Sequence, residues 1–439
     1  MLTRIYVIVM LLAALPVWSQ GGTNGTGGSA MQTPPPVSGE AYPMAVGSEA
    51  RSNYLRAGVV LTTAYNDNVL TGIGSEPISD VSYTISPTIA LDHTTPRLHQ
   101  TLTYSPGFTF YQHMGDLNQG SQNLNLNFQY RLSPHITVTV RDTFLKTSNL
   151  LNQPFPPYGG SISGSAQSPL KAVVAPTADQ LNNNANMELT YQFGRNTMIG
   201  ASGTFTNLHF PNPSEAIGLS NSDSQGGSVF YSYRLSRTLY FGATYQYSRI
   251  FSYPQNEPQN ETQTNAGLLF FTIYLKPNLS LSLSGGPQHY NFSQPSLRSS
   301  GSWSPAAIVS MGWQGHHTSF SALYAQVITA GEGLSGAYHS NSANASARWQ
   351  LERNWTVGLT AGYAVTANVD STMSQANPGG RSASVTASVQ HPVSERVNVE
   401  FGYTRLHQSY PTIAVVSNAP NTNREYIAVS YRFTRPLGR

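Results

Sequence analysis

The sequence predicts an all-β fold, a transmembrane up-and-down antiparallel β-barrel of about 18 strands, with 16 as the nearest alternative. Three observations carry this. Apolar residues recur at every second position through segment after segment. The connections between segments sort by parity into short and long. An aromatic residue stands just before most of the short ones, as in "QYRLSPHITVTVR" at 129–141, "YRLSRTLYFG" at 233–242 and "WQLERNWTVG" at 349–358.

Alternation locates the strands. Leu124, Leu126, Phe128 and Tyr130 alternate with Asn125, Asn127, Gln129 and Arg131; Ile136, Val138 and Val140 alternate with Thr137, Thr139 and Arg141. The same period runs through Leu279, Leu281 and Leu283, through Trp355 to Tyr363, and through Val397 to Tyr403. Period two marks a strand with one apolar face. In order, the segments are 54–65, 81–92, 97–112, 121–132, 135–147, 183–193, 197–210, 224–235, 238–253, 262–275, 279–292, 303–314, 317–329, 339–351, 354–368, 381–391, 395–409 and 423–434.

Connections after even-numbered strands are brief ("SP", "GRN", "KPN", "ER"), while those after odd-numbered strands are longer, 148–182 most of all. A soluble sandwich has no reason to sort its loops this way. A membrane barrel does, with short periplasmic turns and long outer loops. A soluble β-helix or propeller is the competing reading, but its repeats would be more uniform and its apolar face would point inward. The aromatics Tyr130, Tyr191, Tyr233, Trp313, Trp349 and Tyr431 then fall at one height, as a periplasmic girdle whose rings bury their bodies and wet their tips.

Composition agrees. Charged residues make up 10% of the chain, against roughly 25% in soluble domains. Aromatics reach 11%, with 25 Tyr among the 439 residues, which suits strands and argues against disorder. A net charge of +3 without basic runs gives no reason to expect a nucleic-acid partner. The first residues, "MLTRIYVIVMLLAALPVWSQ", combine Arg4 with an apolar run too short to span a bilayer, which reads as a signal peptide over 1–19. A Gly/Ser/Pro-rich lead-in follows over 20–53, then the barrel over 54–434 and a tail over 435–439. The chain has no cysteine, hence no lipid anchor on cysteine, no disulfide and no thiolate site.

Two stretches resemble a known family. "AGVVLTTAYNDNVL" at 57–70 and "ISPTIALD" at 85–92 look like the opening of the β-barrel porin type 2 proteins, whose first strand ends in an aromatic-Asp-Asp/Asn-Asn-Ile motif, here Tyr65-Asn66-Asp67-Asn68-Val69. The "YRLSP" corners resemble outer-membrane barrels found with exopolysaccharide export systems. The closing strand "REYIAVSYRFTRPLGR" resembles the C-terminal assembly signal of outer-membrane proteins, although six residues follow Phe433. The resemblance implies an outer-membrane location, contact with the assembly machinery, and no catalytic residues.

No enzyme signal stands out. There is no Gly-x-Ser-x-Gly elbow, and the histidines lack ligand spacing, so no catalytic, cofactor or metal site is expected. Asp67 with its flanking amides could hold a hard cation, but a loop start bonding its own backbone accounts for it better. Residues off the apolar parity line a wet lumen, Asn125, Gln129, Arg141, Glu188, Gln246, Arg348 and Glu400 among them. Arg131, Arg234, Lys276 and Arg432 share that parity near the short turns, and they predict a basic ring at the inner mouth. Basic residues concentrate at that end and acidic ones in the long loops, where divalent ions would bridge them to lipopolysaccharide. The expected function is a porin-like diffusion channel for small polar solutes or oligosaccharides. The competing class is a non-conducting structural or adhesive barrel, or an accessory to exopolysaccharide export. Loop 148–182 is a candidate constriction. Oligomeric state leaves no mark on the sequence.

Overall fold

The computed structural model describes residues 52–70, 77–149, 151, 178–255, 258–276, 278–295, 299–331, 333–352, 354–369, 379–410 and 421–436. The signal-peptide reading of 1–19, almost all of the lead-in and most of loop 148–182 lie outside these residues.

Eighteen strands run in order: β1 (Ser52–Asn66), β2 (Asp80–Thr94), β3 (Leu98–Tyr111), β4 (Gln119–Arg131), β5 (Ile136–Thr147), β6 (Gln180–Gly194), β7 (Thr197–His209), β8 (Asn221–Arg234), β9 (Leu239–Tyr253), β10 (Asn260–Lys276), β11 (Leu279–Ser293), β12 (Ser300–Gln314), β13 (Thr318–Ala330), β14 (Ala337–Glu352), β15 (Trp355–Asn368), β16 (Gly379–Pro392), β17 (Val397–Ser409) and β18 (Asn421–Pro436). Each pairs antiparallel with its sequence neighbours, and β1 pairs with β18, so the sheet closes into a ring, which parts only between β12 and β13 beyond Ala307 opposite Gln326. A closed ring pairs the backbone groups of the wall with one another, which a lipid-facing sheet requires. The expected strand number holds, and so does the loop parity. Connections 95–97, 132–135, 195–196, 235–238, 277–278, 315–317, 353–354 and 393–396 lie at one end, with both chain ends of the barrel, and the longer ones lie at the other.

Register fixes which face each residue takes, because pairing carries side-chain parity from strand to strand. Leu61 is 49% exposed while its neighbour Val60 is 3% exposed, so odd positions of β1 point outward. Leu61 pairs with Val429, Val429 with Val399, and Leu61 with Ile85 on the other side, all on the outer face. Continuing round the ring places Leu189, Tyr231, Phe271, Leu283, Val309 and Leu359 outside as well. This exposed apolar belt is the wall of an outer-membrane barrel, with lipid as its solvent. A carboxylate sits within it: Asp142 pairs with Leu126 and Ala185 on the outer face, and its Oδ1 is buried without a partner among the described residues.

Candidate functional site

The six girdle aromatics all sit on the outer face at the short-turn end. Trp349 faces Thr318 and Val357, Trp313 faces Leu279 and Phe320, and Tyr431 faces Val59 and Val397. Tyr191 pairs with Ile136 and Ile199, Tyr130 with Leu98 and Val138, and Tyr233 with Thr197 and Phe241. Rings at this height flank the apolar belt. Neighbouring pairs stack on one another, Phe128 on Tyr130 at 6.3 Å and Tyr233 against Phe241 at 5.6 Å.

The proposed basic ring is only partly assembled. Arg131, Arg234 and Arg432 occupy inner-face positions opposite Thr137, Tyr240 and Gly58. Each turns its guanidinium to a turn carbonyl: Arg131 Nε to Ser133 O at 3.4 Å, Arg234 Nε to Ser236 O at 3.2 Å, Arg432 Nε to Glu395 O at 3.1 Å. These arginines brace the short turns. Lys276 requires a correction. The register shifts between Tyr274 and Lys276, so Lys276 stands opposite Leu279, an outer-face residue, and leaves the lumen. A bulge of this kind inserts one residue and reverses the parity beyond it, which alternation counted along β10 alone does not reveal.

Two other arginines project into the lumen above the short-turn rim, Arg348 next to the girdle residue Trp349. Arg141 on β5 lies opposite Asn127 and Asn186, with Glu188 one pairing step away, and it is exposed. Arg348 on β14 lies between Ser319 and Gly358, small neighbours that leave its guanidinium room. β5 and β14 stand nine strands apart in a ring of 18, so these two cations face each other across the lumen at similar distances from the short-turn end. Among the described residues the ion pairs are Arg56–Asp92, His113–Asp80, Lys146–Asp179 and Arg249–Glu261, and neither lumen arginine belongs to one.

The inner wall has two different sides, which the sequence reading did not anticipate. From β2 to β6 it is polar: Thr84, Thr88, Asn125, Thr143 and Glu188 point inward, with Thr84 bonded to Thr109, Thr88 to Ser105 and Thr143 to Asn125. From β7 to β13 large apolar residues also point inward: Phe230, Tyr240, Ile250, Leu268, Phe270, Tyr290, Phe292 and Ile308 are all buried. The signal was present in "GLLFFTIYL" of β10, where the apolar run does not alternate. A strand apolar on both faces is covered on both.

The Tyr65–Val69 motif is a seam fastener. Asp67 accepts from Asn423 N at 2.7 Å and from Asn423 Nδ2 at 2.6 Å, and Asn68 Nδ2 donates to Asn421 O at 2.8 Å. Asn66 Oδ1 meanwhile accepts from Asn68 N at 2.9 Å, the local turn expected of Asn and Asp. Asp67 therefore spends both oxygens on β18, and no group of three or more His, Asp or Glu suited to a metal ion occurs among the described residues.

No family model matches the chain, and no curated protein matches it. Solved structures align with most of the chain. The outer membrane protein opdK from Pseudomonas aeruginosa is 9% identical with a TM-score of 0.40, over 87% of this chain and 99% of that one. A BenF-like porin from Pseudomonas fluorescens Pf-5 is 11% identical with a TM-score of 0.42, over 87% and 99%. The ferric citrate transporter FecA is 9% identical with a TM-score of 0.43, over 87% and 79%. At these levels the likeness concerns the fold alone.

Proposed function

We propose that the chain is a porin-like outer-membrane channel for small polar solutes, oligosaccharides among them, with a mild preference for anions. The observation that carries this is the polar inner wall of β2–β6 with Arg141 and Arg348 opposed across it, inside a ring whose outer face is apolar. A ring of this strand number is wide enough to hold water. Asn, Thr and Gln exchange hydrogen bonds with sugar hydroxyls at little cost, and the resemblance of the Tyr65–Val69 motif and the "YRLSP" corners makes oligosaccharides the first solutes to try. Short turns facing the periplasm and long loops facing outward complete the reading.

The anion preference belongs mainly to Arg141 and Arg348, because the three rim arginines, still charged, are held against the turns at the mouth, where water and salt screen them. Two lumen cations, neither in an ion pair among the described residues and Arg141 partly offset by nearby Glu188, raise the local anion concentration, an effect that salt screens within about 10 Å at 0.1 M. Planar-bilayer recordings of refolded protein in a KCl gradient test both parts. Steady conductance with a reversal potential on the anion side is expected, and R348Q with R141Q should move it towards zero or beyond. R131Q should leave it in place. A barrel that never conducts points instead to the structural, adhesive or export-accessory class.

A further inference from the structure

The wall parts between β12 and β13 at the long-loop end, and the β13–β14 hairpin, still paired with β15 as far as Tyr338 opposite Asn368, leans into the lumen. β12 and β13 stay in register only as far as Ala307 opposite Gln326, yet β13 continues to Ala330, still paired with β14. Beyond Gln326 the alternation stops: Val327, Ile328, Thr329 and Ala330 are all buried, where a wall strand would expose every second residue. Three hydrogen bonds show where this stretch has gone. Ile328 N donates to Gln288 Oε1 of β11 at 3.4 Å, Gly336 N to Ser252 Oγ of β9 at 3.0 Å, and Ser220 N to Gly333 O at 2.8 Å. Gln288 and Ser252 are inner-face residues, and β9 lies four strands from β13.

The tip is seated on apolar contacts. Leu334 and Tyr338 are 2% and 0% exposed, packed in one cluster with Leu208 of β7, with Phe210 and Leu219 of the connection after it, and with Tyr410 at the end of β17. β7 and β17 stand on opposite sides of the ring, so this cluster bridges the lumen at the long-loop end. Ile328, Ala330 and Ala337 share a second cluster with Ile250 and Tyr290. Gly333 and Gly336 carry φ of 108° and 104°, and a Cβ on Gly331 would lie 2.3 Å from Leu334 O, so the tip is built for this tight turn.

From this geometry we infer that the β13–β14 hairpin is a resident internal plug, docked on the apolar arc of β7–β11, and that it confines passage to the polar side of β2–β6. It thereby sets the size limit of the solute. This explains why large apolar residues such as Ile250 and Tyr290 stand among the serines and threonines of the inner face of β8–β11 in a channel for polar molecules: they seat the protein's own hairpin.

The inference rests on the channel reading, so the test has one arm that is blind to conduction. With no native cysteine in the chain, the double variant S252C/S335C reports the seated hairpin directly: an oxidant should close a disulfide in the folded barrel, seen as a mobility shift reversed by reductant. In the second arm, residues 331–336 are replaced by Asn-Gly, and single-channel conductance should rise about twofold or more, as an unfilled ring of this size leaves an aqueous passage. Oxidised and reduced S252C/S335C should conduct alike, because the bond only locks the resting position. Failure to crosslink overturns the inference whatever the conductance. A crosslink with conductance unchanged by the shortened tip overturns the constriction. Silence from parent and shortened barrel alike refutes the channel itself and takes the constriction with it.

Discussion

Removing the Asp67 carboxylate should unfasten the barrel at its seam. β1 and β18 are the first and last strands, so their pairing is the most distant closure along the chain. Asp67 continues that ladder past Asn66: its N–H donates to Asn423 O at 3.1 Å while its two oxygens take both donors of Asn423. Hydrogen bonds to a charged acceptor contribute about 1.5–3 kcal/mol each. The site is only partly buried, which favours the lower end, so Asp67→Ala should cost about 3 kcal/mol over the two side-chain bonds. Asp67→Asn keeps one acceptor oxygen and should cost roughly half as much.

The assay is urea unfolding of the detergent-refolded barrel, followed by tryptophan fluorescence, with the midpoint falling and the slope unchanged. Calcium or EDTA added to the parent should not move the midpoint, because the carboxylate already has two protein partners. A midpoint unaltered by Asp67→Ala would refute the seam argument. A parent that EDTA weakens as much as the substitution does would establish the cation site instead.

Three further outcomes follow from the same geometry. An epitope inserted at Pro258, in an exposed long connection, should be labelled on intact cells, while one at Asn196, in a short turn, should be labelled only after permeabilisation; the reverse would invert the topology. Asp142→Leu should stabilise the barrel by about 1–2 kcal/mol in the same urea assay, since it removes a carboxylate from the lipid-facing wall, and a loss of assembly would assign Asp142 a partner at that surface. Arg234→Gln should lower stability by about 1 kcal/mol by freeing the Ser236 carbonyl while leaving ion selectivity alone; a change in reversal potential would return Arg234 to the conduction path.

The wall was legible in the sequence because its physics is local. Lipid on one side and water on the other impose period two, and turns of two to four residues follow from hairpin geometry, so strand number, parity and aromatic height could all be read in line. Three things were not local. The Lys276 bulge is a property of a pair of strands, and nothing in "IYLKPNLSL" says which residue is skipped. The partner of Asp67 lies 356 residues away, so the motif could suggest a turn but not the seam it closes. The inward hairpin depends on what its tip meets across the ring.

Even so, "GLLFFTIYL" on β10 carried a usable sign. In a membrane barrel one apolar face is owed to lipid, and a second has to be covered from within. Phe270 and Leu268, 2% and 3% exposed, belong to the arc opposite the polar wall. Loop 148–182 is a candidate constriction on its length, and most of it lies outside the described residues; length by itself measures only reach. What seats a loop in the lumen is apolar surface on both partners, and the pairing of Leu334, Tyr338 and Ile328 with Leu208, Ile250 and Tyr290 supplies it for a connection of only six residues. Apolar residues on the inner parity of a barrel strand are therefore the better guide to where a lumen is filled.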